Sequence, residues 1–348
     1  MSNSESSGNL RAKGPGHIRR KAVSVEAGSP VTFTRLREDQ RLPLVVLPDG
    51  DDVELVAWAK VSRELIEASL LKHGGILFRG FDITTAAALD AFIKVVSTQA
   101  AAYQEPTSPR THVSGNVYTS TDYPPAERIL LHNENSYSAS WPLRLFFCCV
   151  TPAEQGGATP VADSRRIYRR LDPRVRERFI QKQVMYVRNF GDGLAIPWQS
   201  VFNISDRAEM EQYCWQRGIE VKWKDENRLR IRYVRPAVAT HPRTHDTVWF
   251  NHVLLFHIGM REPAVREALL NAFAEDDLPY NVFYGDGSRI EADDLATVSA
   301  AYDQETVSFD WRTGDVLMLD NMLAAHGREP FVGSRRRILV SMADPVVP

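Results

Sequence analysis

The sequence predicts a mainly β chain with flanking helices, a sheet sandwich or jelly roll rather than a parallel α/β sheet. Three observations carry this. From about residue 130 onward, short runs rich in branched and aromatic residues recur, bounded by turn residues, as the strands of a sandwich do. Helical periodicity interrupts these runs unevenly, instead of alternating with them strand by strand as βαβ units require. The chain also contains no internal repeat, which removes solenoids and propellers.

Taken in order, residues 53–73 carry an apolar stripe at helical spacing, through Leu55, Val56, Ala59, Leu65, Ile66 and Leu70. Gly74 and Gly75 break that helix, and Ile76-Leu77-Phe78-Arg79 follows as a short strand. A second helix spans 84–97, with Thr84 or Thr85 as its N-cap. Residues 104–127 are rich in Pro, Ser, Thr and Tyr and have no period; so long an irregular stretch inside a compact domain is typically functional. Tyr118 and Tyr123 within it, and the region from Asn189 to Trp198, are candidate gates. Strands are predicted at 130–134, 144–150, 183–189, 219–223, 228–234, 247–251, 306–310, 315–319 and 337–342. Helices are predicted at 164–182, 206–217, 263–274 and 290–303.

At 348 residues the chain can bury a large core. The expected organisation is a flexible N-terminal segment at 1–30, followed by a single domain at 31–348. A net charge of −2 gives no electrostatic case for nucleic acid or an anionic membrane. No apolar run reaches the roughly twenty residues that span a bilayer. Of three cysteines, Cys148 and Cys149 are adjacent in an apolar run. There is no disulfide framework or zinc spacing, so a cytoplasmic setting is expected. Homo-oligomerisation is compatible with this composition.

Chemistry concentrates at His132, Glu134 and His326. Two histidines and one carboxylate are what a facial triad needs to hold Fe(II) with positions left open. Being two apart, His132 and Glu134 share a face if both lie on a strand, and Trp141, Phe146 and Phe147 nearby argue for burial. Thr159, in Gly156-Gly157-Ala158-Thr159-Pro160, offers a hydroxyl, and Arg337 a guanidinium, suited to a dicarboxylate. A two-residue hairpin at Gly333-Ser334 would set Arg337 opposite Pro330, which shares parity with His326, about 13 Å along the strand. Taken singly, each element has a plainer explanation: a polar strand face, a glycine turn, a surface run of Arg335-Arg336-Arg337. Asn251, after Trp249-Phe250, is a candidate contact to cosubstrate or substrate. His241, His245, His252 and His257 cluster in sequence, but His241 and His245 read as an exposed hairpin turn. Asp320 and Asn321 are candidates for orienting the ligands, or simply end a strand.

The stretches His132-Asn133-Glu134-Asn135-Ser136-Tyr137, Gly156 to Arg165 and Trp249-Phe250-Asn251, with His326 and Arg337, resemble the TauD/TfdA family of Fe(II)/2-oxoglutarate oxygenases, particularly its SyrP-like branch. The likeness covers roughly residues 40 to 345. It implies a clavaminate-synthase-like double-stranded β-helix and metal ligands His132, Glu134 and His326. It also implies a cosubstrate, 2-oxoglutarate, held by Thr159 and Arg337, with O2 as oxidant. Many family members have Asp at the position of Glu134, which keeps the carboxylate and adds one methylene. Relatives that halogenate lack this carboxylate, so Glu134 favours hydroxylation or desaturation. The branch implies an amino-acid-like substrate, free or tethered to a carrier protein, in natural-product (antibiotic) biosynthesis. The alternatives are a cupin-like metal isomerase or hydrolase that does not use 2-oxoglutarate, and a non-catalytic regulatory protein on the same fold. Neither needs a dicarboxylate clamp.

Overall fold

A computed structural model describes residues 30–101, 110–121, 123–191, 193, 196–333 and 335–347. The expected flexible segment at 1–30 therefore lies almost entirely outside the described residues. The architecture is mainly β, as expected. Its frame is an eight-stranded sheet built from β1 (Val31–Arg35), β2 (Leu44–Pro48), β3 (Gly75–Phe78), β4 (His112–Ser114), β5 (Val117–Thr119), β7 (Trp141–Thr151), β16 (Val316–Asp320) and β19 (Arg337–Val346), in the order β1-β2-β3-β16-β7-β19-β5-β4. Among the described strands, only β2 and β3 pair in parallel. Facing it is a three-stranded sheet in which β17 (Ala324–Arg328) runs between β6 (Ile129–His132) and β9 (Val161–Asp163). A four-stranded sheet combines β10 (Val184–Phe190), β11 (Glu220–Trp223), β12 (Leu229–Arg235) and β15 (Tyr280–Tyr284). Two short pairs complete the set: β8 (Gln155–Gly156) with β18 (Phe331–Val332), and β13 (Val238–Thr240) with β14 (Thr247–Trp249).

The central strand β7 explains why its sequence is a continuous apolar run. Both faces of the large sheet are covered, so both side-chain sets must be apolar. Phe146 and Cys148 point to the layer of helices Leu55–Val61, Arg63–His73 and Ala86–Val96. Leu145, Phe147 and Cys149 point the other way, toward Val161, Ala324 and Ile338. The inner layer is the one that carries the cavity.

Several local expectations are corrected. The helix predicted at 53–73 divides at Ser62, and that at 164–182 divides at Asp172, whose carboxylate accepts the backbone N–H groups of Arg174 and Val175 to start a new helix at Pro173. Residues 306–310 do not form a strand; only Val307 bridges to Val161, while Phe309 and Trp311 turn into the core. The 104–127 stretch contains the hairpin β4–β5. Most consequential, β17 and β19 do not form a hairpin. They belong to different sheets, and residues 329–336 carry the chain from one face of the sandwich to the other. Ser334 itself is outside the described residues. Thr85 is the N-cap of the helix Ala86–Val96, accepting from Ala88 N at 3.2 Å.

Phe146 is fully buried and meets Phe92 edge-on at 6.2 Å between ring centroids. Phe146→Ala should cost about 3–5 kcal/mol, seen as a lower denaturation midpoint at unchanged slope. Because the ring faces the helices and not the cavity, metal affinity of the folded variant should match wild type.

Candidate metal centre

His132 ends β6 directly opposite His326 on β17, and the two rings lie 4.5 Å apart between centroids. Glu134 completes a group whose ligand atoms all fall within 4.8 Å of one another, with all three residues buried. His326 Nε2 is 3.7 Å from Glu134 Oε2. Among the described residues this is the one such cluster of three.

The three meet for a different reason than strand parity. β6 stops at His132, and Glu134 arrives on a turn in which Asn135 has φ +55°. That turn is held by Asn321. Its Oδ1 accepts from Glu134 N at 2.7 Å, and its Nδ2 donates to the carbonyls of Glu134 (2.9 Å) and Pro142 (2.8 Å). Asn133 answers by donating Nδ2 to Asn321 O (2.7 Å) and Ser164 Oγ (3.1 Å). Asn321 in turn is fixed by its neighbour. Asp320 caps the bend through Met322 N and Leu323 N, both at 3.0 Å, and meets His241 Nε2 at 3.0 Å. His241 is thus fully buried, overturning its reading as an exposed turn residue, whereas His245 is exposed.

His132 Nδ1 lies 2.8 Å from Leu130 O. A carbonyl can only accept, so the proton sits on Nδ1 and the Nε2 lone pair is available to a metal. Burial holds the pKa of His132 below, and that of His326 well below, the ordinary histidine value. His326 Nδ1 has no hydrogen-bond partner among the described residues. Two neutral imidazoles and a carboxylate fit an Fe(II)-type ion and leave part of its coordination sphere free. Arg110 stands beside the group, its Nη2 3.1 Å from Glu134 Oε2.

A cavity adjoining the triad is lined by Arg110, Thr159, Arg328 and Arg336 on its polar side and by Phe147, Ile338 and Val340 on its apolar side. Thr159 is buried and its Oγ1 accepts from Trp311 Nε1 at 3.1 Å, which leaves its own hydroxyl proton to donate. Arg336 is half-buried, donating from Nε (3.2 Å) and Nη2 (3.1 Å) to Gly157 O. A Cβ at Gly157 would come within 2.9 Å of Arg336 Nε, so this glycine, at φ +70°, makes room for the guanidinium. Burial pushes the pKa of Arg336 down to about 10, and no carboxylate pairs with it among the described residues.

Arg337 is exposed, across from Thr151 on β7, and a bulge at Arg337/Ile338 offsets the register. Arg336, rather than Arg337, has the parity of Ile338 and Val340 and lines the cavity with them. Asn251 is not brought to it either: its Nδ2 donates to Ala237 O (2.8 Å) and its Oδ1 accepts from Val253 N (3.1 Å). Asn189 is similarly engaged, by Asp276 O, Leu278 O and Arg230 Nε. Tyr123 accepts from Arg261 at its hydroxyl and from Arg328 at its carbonyl. Tyr118 lies on β5 against His112. Residues missed in the sequence include Arg110, Arg328 and Arg336, and His252, whose ring lies 5.2 Å from His132 and whose Nδ1 is 2.6 Å from Ser136 Oγ.

The family model described as "Taurine catabolism dioxygenase TauD, TfdA family" matches residues 39–342. The dapdiamide synthesis protein DdaC of Enterobacter agglomerans is 36% identical over 287 residues, covering 82% of this chain and 87% of its own. A clavaminate synthase-like protein of Arabidopsis thaliana is 26% identical over 332 residues, covering 90% and 97%. Among solved structures, PvcB of Pseudomonas aeruginosa superposes with a TM-score of 0.54 at 16% identity, covering 94% of each chain. AAD-2 in complex with Mn(II) and N-oxalylglycine gives 0.54 at 14% identity, covering 91% and 98%. These likenesses make the fold a clavaminate-synthase-like double-stranded β-helix.

His132→Ala, Glu134→Ala and His326→Ala should each abolish Fe(II) binding. Asn321→Ala, which leaves every ligand in place, should weaken it by about 10–100-fold. Calorimetric titration with Fe(II), or with Co(II) as a spectroscopic probe, checks both; wild-type affinity in Asn321→Ala would show that the turn holds itself.

Proposed function

The chain belongs to the TauD/TfdA dioxygenase family, and from that premise we propose that it hydroxylates or desaturates an amino-acid-like substrate in natural-product biosynthesis. It is an Fe(II)- and 2-oxoglutarate-dependent oxygenase, with O2 as the third reactant. The observation that supports the reading best is one cavity lined by His132 and His326 of the buried triad and by Arg336, a guanidinium that no carboxylate among the described residues answers. His132, Glu134 and His326 would hold the metal, and Arg336 with Thr159 the far carboxylate of 2-oxoglutarate. A guanidinium stays charged when buried and meets a carboxylate through two parallel N–H groups. The bound metal and keto acid would supply the electrons that activate O2, the oxidant, a task the side chains cannot perform.

The protein's own part is placement and dryness. Phe147, Ile338 and Val340 wall the cavity with apolar surface, which excludes water and strengthens the charge interactions inside. Arg328 donates to the carbonyls of Tyr123, Pro124 and Glu127, tying the segment before β6 beside the site. Glu134 retains the carboxylate, which favours hydroxylation or desaturation. The relative DdaC, a dapdiamide synthesis protein, supports a biosynthetic rather than catabolic role. Cys148, Cys149 and Cys214 are buried and form no disulfide among the described residues, which suits a reducing cytoplasm.

Anaerobic addition of Fe(II) and 2-oxoglutarate should produce the weak visible charge-transfer band of a chelated keto acid. Titrated through that band, Arg336→Ala should lose about tenfold or more in keto-acid affinity, since charge-assisted hydrogen bonds contribute about 1.5–3 kcal/mol. Arg337→Ala should titrate like wild type. The reverse pattern would return the role to Arg337, and absence of the band would sink the oxygenase reading.

A further inference from the structure

The hydrogen bonds that fix Glu134 do not stop at Asn321. They continue through Asp320 to His241, on the turn that joins β13 to β14. His241 is fully buried, and the backbone N–H groups of Arg243 (3.3 Å) and Thr244 (3.0 Å) both donate to its Nδ1. That nitrogen therefore carries the lone pair, and the proton sits on Nε2, which donates to Asp320 Oδ2 at 3.0 Å. The hairpin is itself braced from outside. Its Arg243 pairs with Glu67, which also meets Arg144 on β7. In the large cleft beside the helix Ser164–Arg170, Arg165 and Arg169 face Asp246 of the same turn, Arg165 also faces Asp163, and Arg166 and Arg170 face Glu305. Each of these four guanidiniums meets an acid of the fold.

Asp320 stands between two tasks. Its Oδ1 accepts from Met322 N and Leu323 N, both at 3.0 Å, and so shapes the bend that leads from β16 into β17. Its Oδ2 has His241 as its one hydrogen-bond partner among the described residues. Asp320 is 2% exposed, so water cannot replace that partner, and a buried carboxylate oxygen left without a donor is costly. Without His241 the carboxylate would turn or take up a proton, and the bend would lose the shape that Oδ1 gives it. Asn321 is the next residue, so a shift of Asp320 passes directly to the amide that grips the backbone of Glu134. A ligand group tolerates only about 0.5 Å of such displacement. Backbone bonds from Asp320 N to Gly74 O (3.0 Å) and from Asn321 N to Leu143 O (2.8 Å) locate the bend, but they do not set the rotation of the Asp320 carboxylate. We infer that His241 is a positioning residue of the metal centre: acting through Asp320 and Asn321, it sets where Glu134 presents its carboxylate, although two side chains separate it from that ligand. The inference rests on the reading of the triad as a metal centre and extends that centre to a hairpin turn outside the cavity lining.

Two substitutions separate this role from a merely structural one. Glutamine places an N–H donor near the position of Nε2, so His241→Gln keeps the bond to Asp320 and loses the acceptor for Arg243 N and Thr244 N. Asparagine does the opposite: His241→Asn keeps an acceptor near Nδ1 but cannot reach Asp320. Both are titrated as the full chain with Fe(II), and with Co(II), whose visible bands report coordination geometry. His241→Gln should bind both metals within about threefold of wild type, with unchanged Co(II) bands. His241→Asn should bind about tenfold more weakly, as when a residue that holds a ligand from behind is lost, and its Co(II) bands should shift. Asp320→Asn keeps an acceptor for Met322 N and Leu323 N but turns a donor toward His241, and it should match His241→Asn; either variant serves if the other does not fold. The loss in His241→Asn should also vanish in an Asn321→Ala background, because the relay passes through that amide. A structural role alone would lower the denaturation midpoint of both His241 variants and leave the metal affinity of the folded proteins unchanged. The inference is overturned by wild-type metal affinity in His241→Asn or Asp320→Asn, by equal losses in His241→Gln and His241→Asn, or by a loss that persists undiminished without Asn321. Wild-type protein that binds neither metal sinks it together with the metal-centre reading, whereas those three outcomes, with wild type binding, sink this inference alone.

Discussion

The pairing of His132 with His326 across two antiparallel strands is the constraint from which the rest of the cavity follows. It needs a close approach of β17 to β6, and Gly327 provides it: a Cβ there would come within 2.6 Å of Ile129 O. With the rings fixed beside each other at a tilt of 46°, the carboxylate has to come from outside the strand pair. The turn after β6 brings it, and Asn321 holds that turn by three hydrogen bonds from its side chain. The ligand group is therefore assembled by one backbone pairing and one side-chain clamp. Both are anchored on the same stretch of chain, since Asn321 and His326 flank the bend from β16 into β17.

Much of this was legible in the sequence, and the rest was hidden for identifiable physical reasons. The mainly β architecture followed from run lengths and from the apolar composition of strands covered on both faces, such as β7. His132, Glu134 and His326 were found by residue type and spacing, although the parity argument used for Glu134 does not describe the turn on which it lies. Arg336 was passed over in favour of Arg337 because the expected hairpin set Arg337 opposite Pro330; without that hairpin, Arg336 has the parity of Ile338 and Val340, and these three line the cavity. The hairpin expected at Gly333-Ser334 failed because a turn signal cannot say whether the next strand returns to the same sheet or crosses to the other. Asn321 and Asp320 presented only as a strand end. Their partners, Glu134 and His241, are 187 and 79 residues away, a range at which local patterns carry no information.

The two walls of the cavity do different work. The large sheet contributes Phe147, Ile338 and Val340, which have no polar atoms to offer and keep water out. The small sheet contributes His132, His326 and Arg328, Thr159 lies just before β9, and Arg110 and Arg336 lie just before β4 and β19. Excluding water makes each of those charges interact more strongly than it would at the surface, where the same groups would be screened. It also makes an imbalance of charge harder to bear. A fold selected for stability alone would pair each buried guanidinium with its own carboxylate, as the Ser164–Arg170 cleft does.

That contrast separates structural arginines from functional ones without reference to any relative. Arg165, Arg166 and Arg170 have acids fixed within the fold, and their pairing is complete before any ligand arrives. Arg336 donates to the carbonyl of Gly157 and meets no carboxylate among the described residues. A carbonyl satisfies a guanidinium's hydrogen bonds but not its charge, so it tolerates the cation without neutralising it. Such a side chain is held in position yet left electrostatically incomplete, and small anions complete it. Arg336 is such a side chain, set in the cavity beside Thr159, whose hydroxyl proton is free to donate to the same anion.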